Sequence, residues 1–296
     1  MRIAIIGLGA VGTTLAYRLT RYGAHQVTAV ARSKRLEQLT SAKGHITDAS
    51  ARKQPVKLAQ VASALPVDEP FDVVLVTVLA HQLDEDLLNM LAASKAAKIM
   101  FMFNTVQPLS TYSDRVGASR FEFCFPIVMS LLDDQGELKH SIVTSGGGWP
   151  ITSATFSAAF KEAGIKTYVE PRMQSWLRSH AIIIAPLMGM MQKAKRRDSR
   201  VFVTWADAKL ASQALTEGRN LVRELHEDVT PGFIDFLANW PRLTTFVLWL
   251  LGKTSMMAET AKYSPREAQA LIDSMASLAS DGGKPSLRAM LSLRPV

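Results

Sequence analysis

A chain of 296 residues leaves room for two domains of ordinary size, each able to bury a core of its own. Hydrophobic residues make up 48% and charged residues 20%, which excludes intrinsic disorder. The longest apolar runs, 181–191 and 246–251, fall well short of the roughly 18 to 20 residues needed to cross a bilayer, so no membrane span is expected. The net charge of +8 favours an anionic ligand. A phosphorylated cofactor is a simpler anion than nucleic acid, because the most basic stretch, Lys193–Arg200, lacks interleaved aromatics and reads as the solvated end of a helix.

The N-terminus runs at once into an apolar strand and glycines without a signal-peptide pattern, which predicts a cytoplasmic protein. Short runs rich in Val, Ile and Phe at 3–6, 27–31, 73–78, 99–103 and 121–126 predict strands alternating with helices, the pattern of a mainly parallel sheet. Gly7-Leu8-Gly9-Ala10-Val11-Gly12 is a complete G-x-G-x-x-G motif between the first strand and an amphipathic helix predicted over 10–22. Gly7 suits a tight turn, Gly9 lets the backbone approach a pyrophosphate, and Gly12 lets helix and strand pack closely. The helix N-terminus offers unpaired N–H groups to the anion. All six residues are therefore expected to bind a dinucleotide.

The second strand ends at Arg32-Ser33-Lys34-Arg35, where a site for NAD would carry an acid on the ribose 2′-hydroxyl. A guanidinium at Arg32 can grip a 2′-phosphate, with Ser33, Lys34 and Arg35 adding donors and positive potential, so NADP is favoured. Cys124, between Phe123 and Phe125, is expected in a buried strand with an unreactive thiol. Turn signals at Ser145–Pro150 and Glu170-Pro171 precede a change of pattern. Beyond it lie helices predicted at Met173–Lys195, Thr204–Glu227 and Pro265–Ala279, with shorter pieces around Phe233 and Leu248. The expected fold is α/β: a Rossmann-type dinucleotide-binding domain over 1–170, then an all-helical domain over 171–296 for substrate or dimerisation. Trp240, Phe246 and Trp249 suit either a core or a homodimer surface. The histidines are scattered without ligand spacing, so no metal site is expected, and no Gly-x-Ser-x-Gly elbow is present.

The chain resembles the ketopantoate reductase (2-dehydropantoate 2-reductase) family. The likeness is carried by the opening Ile5–Gly12, Arg32, Val76–Gln82, Asn104 after its strand, and Trp176 in the helix opening the second domain. Ser255-Met256 with Glu267 twelve residues beyond Ser255, and Gly283-Lys284-Pro285, extend it. The resemblance implies an NADPH-dependent reductase that carries hydride to the carbonyl of a 2-oxo acid or related compound, giving a 2-hydroxy acid; in the family ketopantoate becomes pantoate. It also implies Asn104 beside nicotinamide and substrate, Ser255 on the substrate's polar end, Glu267 near the reacting carbonyl, and Gln82 near the cofactor.

The departures from the family pattern fall where substrate chemistry is expected. Leu177 stands at the position of the family's catalytic lysine, Ala181 and Ala185 replace two asparagines, Leu79 replaces a second lysine, and Thr105–Pro108 replaces a glycine-rich loop. Leucine cannot donate the proton that an alkoxide product needs, so the substrate is expected to differ from ketopantoate. His180, one helical turn from Leu177 and with an unperturbed pKa of about 6.5, is the candidate acid; Arg178 on the same helix could hold a carboxylate. His81 is a weaker rival. Apolar replacements suit a larger hydrophobic carbonyl compound. They equally suit a catalytically degenerate protein that binds NADP as a sensor or partner module. The expected partner is a small-molecule carbonyl substrate, with neither nucleic acid nor membrane.

Overall fold

The computed structural model describes residues 1–49, 54–143, 147–197, 202–254, 257, 265–279 and 287–295. The chain forms two compact units, one from Met1–Phe103 and Pro108–Met173, the other from Asn104–Gln107 and Gln174–Val296.

The first unit follows the alternation read from the sequence. It runs β1 (Arg2–Ile6), α1 (Ala10–Arg21), β2 (Gln26–Val30), α2 (Ser33–Ser41), β3 (His45–Ile46), β4 (Val56–Lys57), β5 (Gln60–Ala62) and β6 (Val73–Val76). Then come α3 (Glu85–Ala93), β7 (Lys98–Phe101), α4 (Ser110–Val116), β8 (Phe121–Phe123), β9 (Val128–Leu132), β10 (Leu138–Ile142), β11 (Trp149–Ile151), α5 (Ser157–Glu162) and β12 (Thr167–Val169). The main sheet has the order β5-β2-β1-β6-β7-β8, with every pairing parallel. β1 lies between β2 and β6, so Ile3 faces Val27 on one side and Val73 on the other. Its residues from Ile3 to Ile6 are all buried, which is why they form an unbroken apolar run rather than an alternating one.

Three strand pairs escaped the sequence reading: β3 with β4, the antiparallel hairpin β9–β10, and β11 with β12. β3 and β4 have two residues each, and the hairpin strands are mostly half-buried, so none presents a long apolar run. The hairpin turn is closed by Asp133, whose Oδ1 accepts from the N–H groups of Gln135 and Glu137 at 2.9 and 2.8 Å. Trp149, fully buried, donates its indole N–H to the Ile127 carbonyl at 2.9 Å, so burial leaves no polar atom of the ring unsatisfied. Cys124 is buried as expected, and burial pushes its thiol pKa well up.

The junction of β1 and α1 is the tightest point of this unit. Gly7 adopts φ 96°, and the Thr77 hydroxyl lies against the carbonyls of Ile6 and Gly7 at 3.0 and 2.7 Å. A Cβ on Gly12 would stand 2.2 Å from the Gly7 carbonyl oxygen and 2.5 Å from Thr77 Oγ1. A Cβ on Gly9 would meet nothing within 4 Å.

The second unit is helical where described: α6 (Met173–Arg197), α7 (Trp205–Glu224), α8 (Phe233–Asn239), α9 (Pro241–Leu251), α10 (Pro265–Ala279) and α11 (Arg288–Ser292). α7 starts at a capping box in which Thr204 and Asp207 exchange backbone-to-side-chain hydrogen bonds at 3.2 and 2.9 Å. It buries a small-residue face, Ala208, Ala211, Ala214 and Gly218, the last of which lies against Ile182 of α6. At Gly218 a Cβ would come within 2.8 Å of Ile182, so the helices touch almost backbone to side chain. Glu217 on the same helix accepts from the N–H groups of Ala289 and Met290, both at 3.1 Å, and so satisfies the start of α11.

Gly12→Ala must force helix and strand apart. It is expected to cost about 1–3 kcal/mol of stability, whereas Gly9→Ala, with open space around it, changes stability by less than about 1 kcal/mol. Chemical denaturation of the two variants measures the difference, and equal losses would contradict the tight junction.

Candidate active site

Two groups of side chains are candidates, one in each unit. In the first, α1 begins at Gly9 with no side-chain cap and no acidic residue in its first turn. Its first backbone hydrogen bond runs from Thr13 N to Gly9 O at 2.9 Å. The N–H groups before it, at Ala10, Val11 and Gly12, therefore have no carbonyl four residues back and are left to an incoming anion. Gly9 is exposed and Gly12 buried, so the motif presents its middle glycine outward and tucks its third against β1. Open space at Gly9, a left-handed Gly7 and a contact-limited Gly12 together make a cradle that fits a dinucleotide's pyrophosphate.

The basic cluster after β2 divides into two roles. Arg32 caps α2 with extended backbone, φ −128° and ψ 163°, and its exposed side chain has no hydrogen-bond or ion-pair partner among the described residues. Its guanidinium is available to a phosphate. Ser33 and Lys34 are likewise exposed. Arg35 differs from the expectation that it would add donors for the anion. Its Nε donates to the Leu8 carbonyl at 3.1 Å, its Nη2 to Thr13 Oγ1 at 3.2 Å, and its Nη1 to Gly136 O and Gln38 Oε1 at 3.3 and 3.2 Å. Thr13 in turn donates to Leu8 O at 3.0 Å. Arg35 is thus a brace beneath the glycine-rich turn, tied also to the β9–β10 turn, and burial lowers its pKa. Nothing in a run of four polar residues distinguishes an inward from an outward arginine, so the sequence carries no signal for this. Gln82 is exposed, with its Oε1 accepting from the Leu79 N–H at 3.0 Å, and His81 beside it is exposed.

In the second unit the structure pairs two residues singled out in the sequence. Asn104 Nδ2 donates to Glu267 Oε1 at 2.6 Å across 163 positions of chain. Asn104 belongs to the short segment 104–107, which is held by α6: Arg178 Nε donates to Val106 O at 2.8 Å and Gln174 Nε2 to Gln107 O at 3.2 Å. Arg178 Nη1 also donates to Glu227 Oε1 at 2.5 Å. Burial lowers the Arg178 pKa, while the Glu227 carboxyl is pushed up by burial even though Arg178 opposes the shift. The expectation that Arg178 holds a substrate carboxylate is therefore revised: its guanidinium is committed to Val106 and Glu227 and serves to position the segment that carries Asn104. Glu227 was missed in the sequence because only folding places it 49 residues back against α6.

His180 stacks on Trp176 with ring centroids 5.0 Å apart and planes within 7°. Burial lowers its pKa from 6.5 to about 4, so the imidazole is neutral at pH 7. The expected imidazolium acid, which rested on an unperturbed value, gives way to a neutral ring. Leu177, Ala181 and Ala185 are each at most 1% exposed, and both alanines belong to the second unit's core rather than widening a cleft. Ser255 and Gly283–Pro285 lie outside the described residues. Among the described residues no cluster of His, Cys, Asp and Glu could hold a metal, and no helix is long and apolar enough to cross a membrane.

Residues 3–145 match the family model described as ketopantoate reductase PanE/ApbA. Among curated proteins none matches the chain in sequence. Solved structures with the same fold include 2-dehydropantoate 2-reductase from Methylococcus capsulatus, at 15% identity and TM-score 0.68, with 99% of this chain and 94% of that one covered. A PanE/ApbA family ketopantoate reductase from Ralstonia eutropha JMP134 gives 18% identity and TM-score 0.72 over 99% and 96%. D-mandelate dehydrogenase in its ternary structure with NADH and anilino(oxo)acetate gives 15% identity and TM-score 0.75 over the same shares. At these identities the structural likeness is one of fold. The likeness to the ketopantoate reductase PanE/ApbA family is thus shown for residues 3–145 of the chain.

Proposed function

We propose that this protein is an NADPH-dependent oxidoreductase that reduces the carbonyl of a 2-oxo acid or related compound to a 2-hydroxy acid. The observation that carries this reading is the cradle at the β1–α1 junction, with open space at Gly9, uncapped N–H groups behind it and a guanidinium at Arg32 left unpaired among the described residues. Backbone amides of Leu8 to Gly12 would hold the pyrophosphate and Arg32 the 2′-phosphate, with Gln82 nearby. The nicotinamide, when bound, supplies the hydride.

The substrate's oxygen is assigned to Asn104. One N–H of its amide is anchored on Glu267, which fixes the amide plane and leaves its second N–H to donate to the carbonyl. Hydride addition puts negative charge on that oxygen, and a preorganised donor is worth most there. His180, being neutral, is assigned as an N–H donor rather than as an imidazolium acid, and the proton completing the hydroxyl comes ultimately from water. Ser255 is assigned to the substrate's polar end by its place in the family pattern. The substrate is proposed to be bulkier and more apolar than ketopantoate. The likeness to a D-mandelate dehydrogenase whose structure holds anilino(oxo)acetate supports this.

The buried Leu177, Ala181 and Ala185 favour a second reading, an NADP-binding protein without turnover. A panel of branched and aromatic 2-oxo acids with NADPH separates the two: oxidation of the cofactor with any member supports the reductase, and tight NADPH binding with none supports the sensor.

In fluorescence titration NADPH is expected to bind more tightly than NADH. Arg32→Ala should weaken NADPH binding by about 10- to 100-fold, the loss of a charge-assisted contact, and leave NADH unchanged. Equal losses for both would remove Arg32 from the phosphate. Asn104→Ala should lower kcat by about 100-fold or more with little change in NADPH affinity; an unaltered kcat would sink its assignment. With a pKa of about 4, His180 carries an imidazolium proton in only about one molecule in a thousand at pH 7. The part of kcat that depends on it should therefore be flat from pH 6 to 8. A rate falling about tenfold per unit above pH 6.5, and abolished in His180→Gln, would restore the imidazolium acid.

A further inference from the structure

The α7–α8 loop is fastened to α6 at two adjacent residues. α7 ends in a Schellman motif: His226 takes a left-handed φ of 58°, its N–H donates to the Arg223 carbonyl at 3.0 Å, and the Glu227 N–H donates to the Val222 carbonyl at 3.2 Å. A histidine rather than a glycine at that position costs backbone energy that contacts elsewhere must offset. The motif turns the chain back over α6, where Glu227 Oε1 accepts from Arg178 Nη1 at 2.5 Å. Three residues on, the buried Thr230 N–H donates to Ser179 Oγ at 3.0 Å.

Arg178 links this loop to the segment that carries Asn104. Its side chain is only 8% exposed, and while Nη1 serves Glu227, Nε donates to the Val106 carbonyl at 2.8 Å. A planar guanidinium cannot turn one of these donors without turning the other. A buried cation that loses its anion is drawn towards water, so the charge on Glu227 is what keeps Nε on Val106. Val106 lies two residues beyond Asn104 in a segment of four, 104–107. A displacement of about an ångström in a positioning group costs a rate on the order of a hundredfold, and the Asn104 amide has its direction set against Glu267 at 2.6 Å.

We propose that Glu227 is a positioning residue for the reduction: its carboxylate holds Arg178 on Val106 and thereby fixes the direction of the Asn104 amide. The proposal rests on the reductase reading and on the role of Asn104 in it. Arg178 stays charged, so Glu227 is the member of the pair that titrates. Burial raises its pKa above the ordinary 4.5 against the pull of Arg178. The charge facing it from α6 is Arg178; on its own loop His226 and Asp228 point to solvent, as does Glu224 at the end of α7. Protonation as pH falls therefore releases the pair, and the positioning is lost on the acid side.

Wild-type kcat is expected to fall in acid with a midpoint above 4.5. Glu227→Gln keeps the shape and loses the charge. Its kcat at pH 7 should be about 10- to 100-fold lower, with that acid limb gone and NADPH affinity unchanged. Glu224→Gln, which removes the exposed carboxylate, should match the wild type in all three. Hydrogen exchange read by mass spectrometry gives a measure independent of turnover: peptides covering 104–107 should exchange faster in Glu227→Gln than in the wild type at one pH, and peptides of β1 and α1 should not. A wild-type kcat in Glu227→Gln, a persisting acid limb, or unaltered exchange at 104–107 overturns the proposal. A wild-type chain that oxidises NADPH with no 2-oxo acid removes the reductase reading instead; faster exchange at 104–107 in the variant then still supports the Arg178 clamp, and unaltered exchange removes both. Should Glu227→Gln fail to fold by circular dichroism, Glu227→Asp decides. It keeps the charge but withdraws it by one methylene, so a lowered kcat with the acid limb retained and faster exchange at 104–107 supports the proposal, and wild-type values of both overturn it.

Discussion

The first unit depends on the contact between the Gly7 carbonyl and the Cα of Gly12. β1 is the central strand of the sheet, with β2 and β6 on its flanks, and α1 must leave it through a turn that tolerates positive φ and then pack back without a Cβ in the way. Thr77, just past the end of β6, closes the arrangement by placing its hydroxyl between the carbonyls of Ile6 and Gly7. The same close packing that stabilises the unit aims the uncapped end of α1 outward at Gly9. Binding capacity and stability thus share one piece of backbone, with different glycines serving each.

Three arginines show how position, rather than residue type, sets what a guanidinium does. Arg32 is exposed at a strand tip, and its guanidinium has no partner among the described residues. Arg35, three residues later, spends its donors on Leu8, Thr13, Gln38 and Gly136 and makes the glycine-rich turn continuous with the β9–β10 hairpin. Arg178 spends its own on Val106 and Glu227 and holds the segment that presents Asn104. A planar, always-charged fork suits all three tasks, and burial lowers the pKa of Arg35 and of Arg178.

The second unit departs from the ketopantoate reductase pattern where that resemblance places proton transfer. A buried leucine and two alanines occupy one face of α6, and the nearby imidazole is driven neutral by its surroundings. What persists is the Asn104–Glu267 pair, an amide whose orientation is set by a carboxylate.

The chain's own order of residues determined the α/β class, the G-x-G-x-x-G turn on the first strand, Arg32 at the tip of the second, and the long helices α6, α7 and α10, because periodicity and turn chemistry are local. It also marked Asn104 and Glu267 through the family pattern. Only tertiary structure decided that these two touch across 163 residues, that Arg35 turns inward, that Arg178 is bound by Glu227, and that α9 faces water with its apolar side. The short strands β3, β4, β9 and β10 belong with these, since each is held by partners rather than by its own pattern. The reason is common to all: burial and pairing depend on what the rest of the chain brings alongside, and no window along the sequence contains that neighbour.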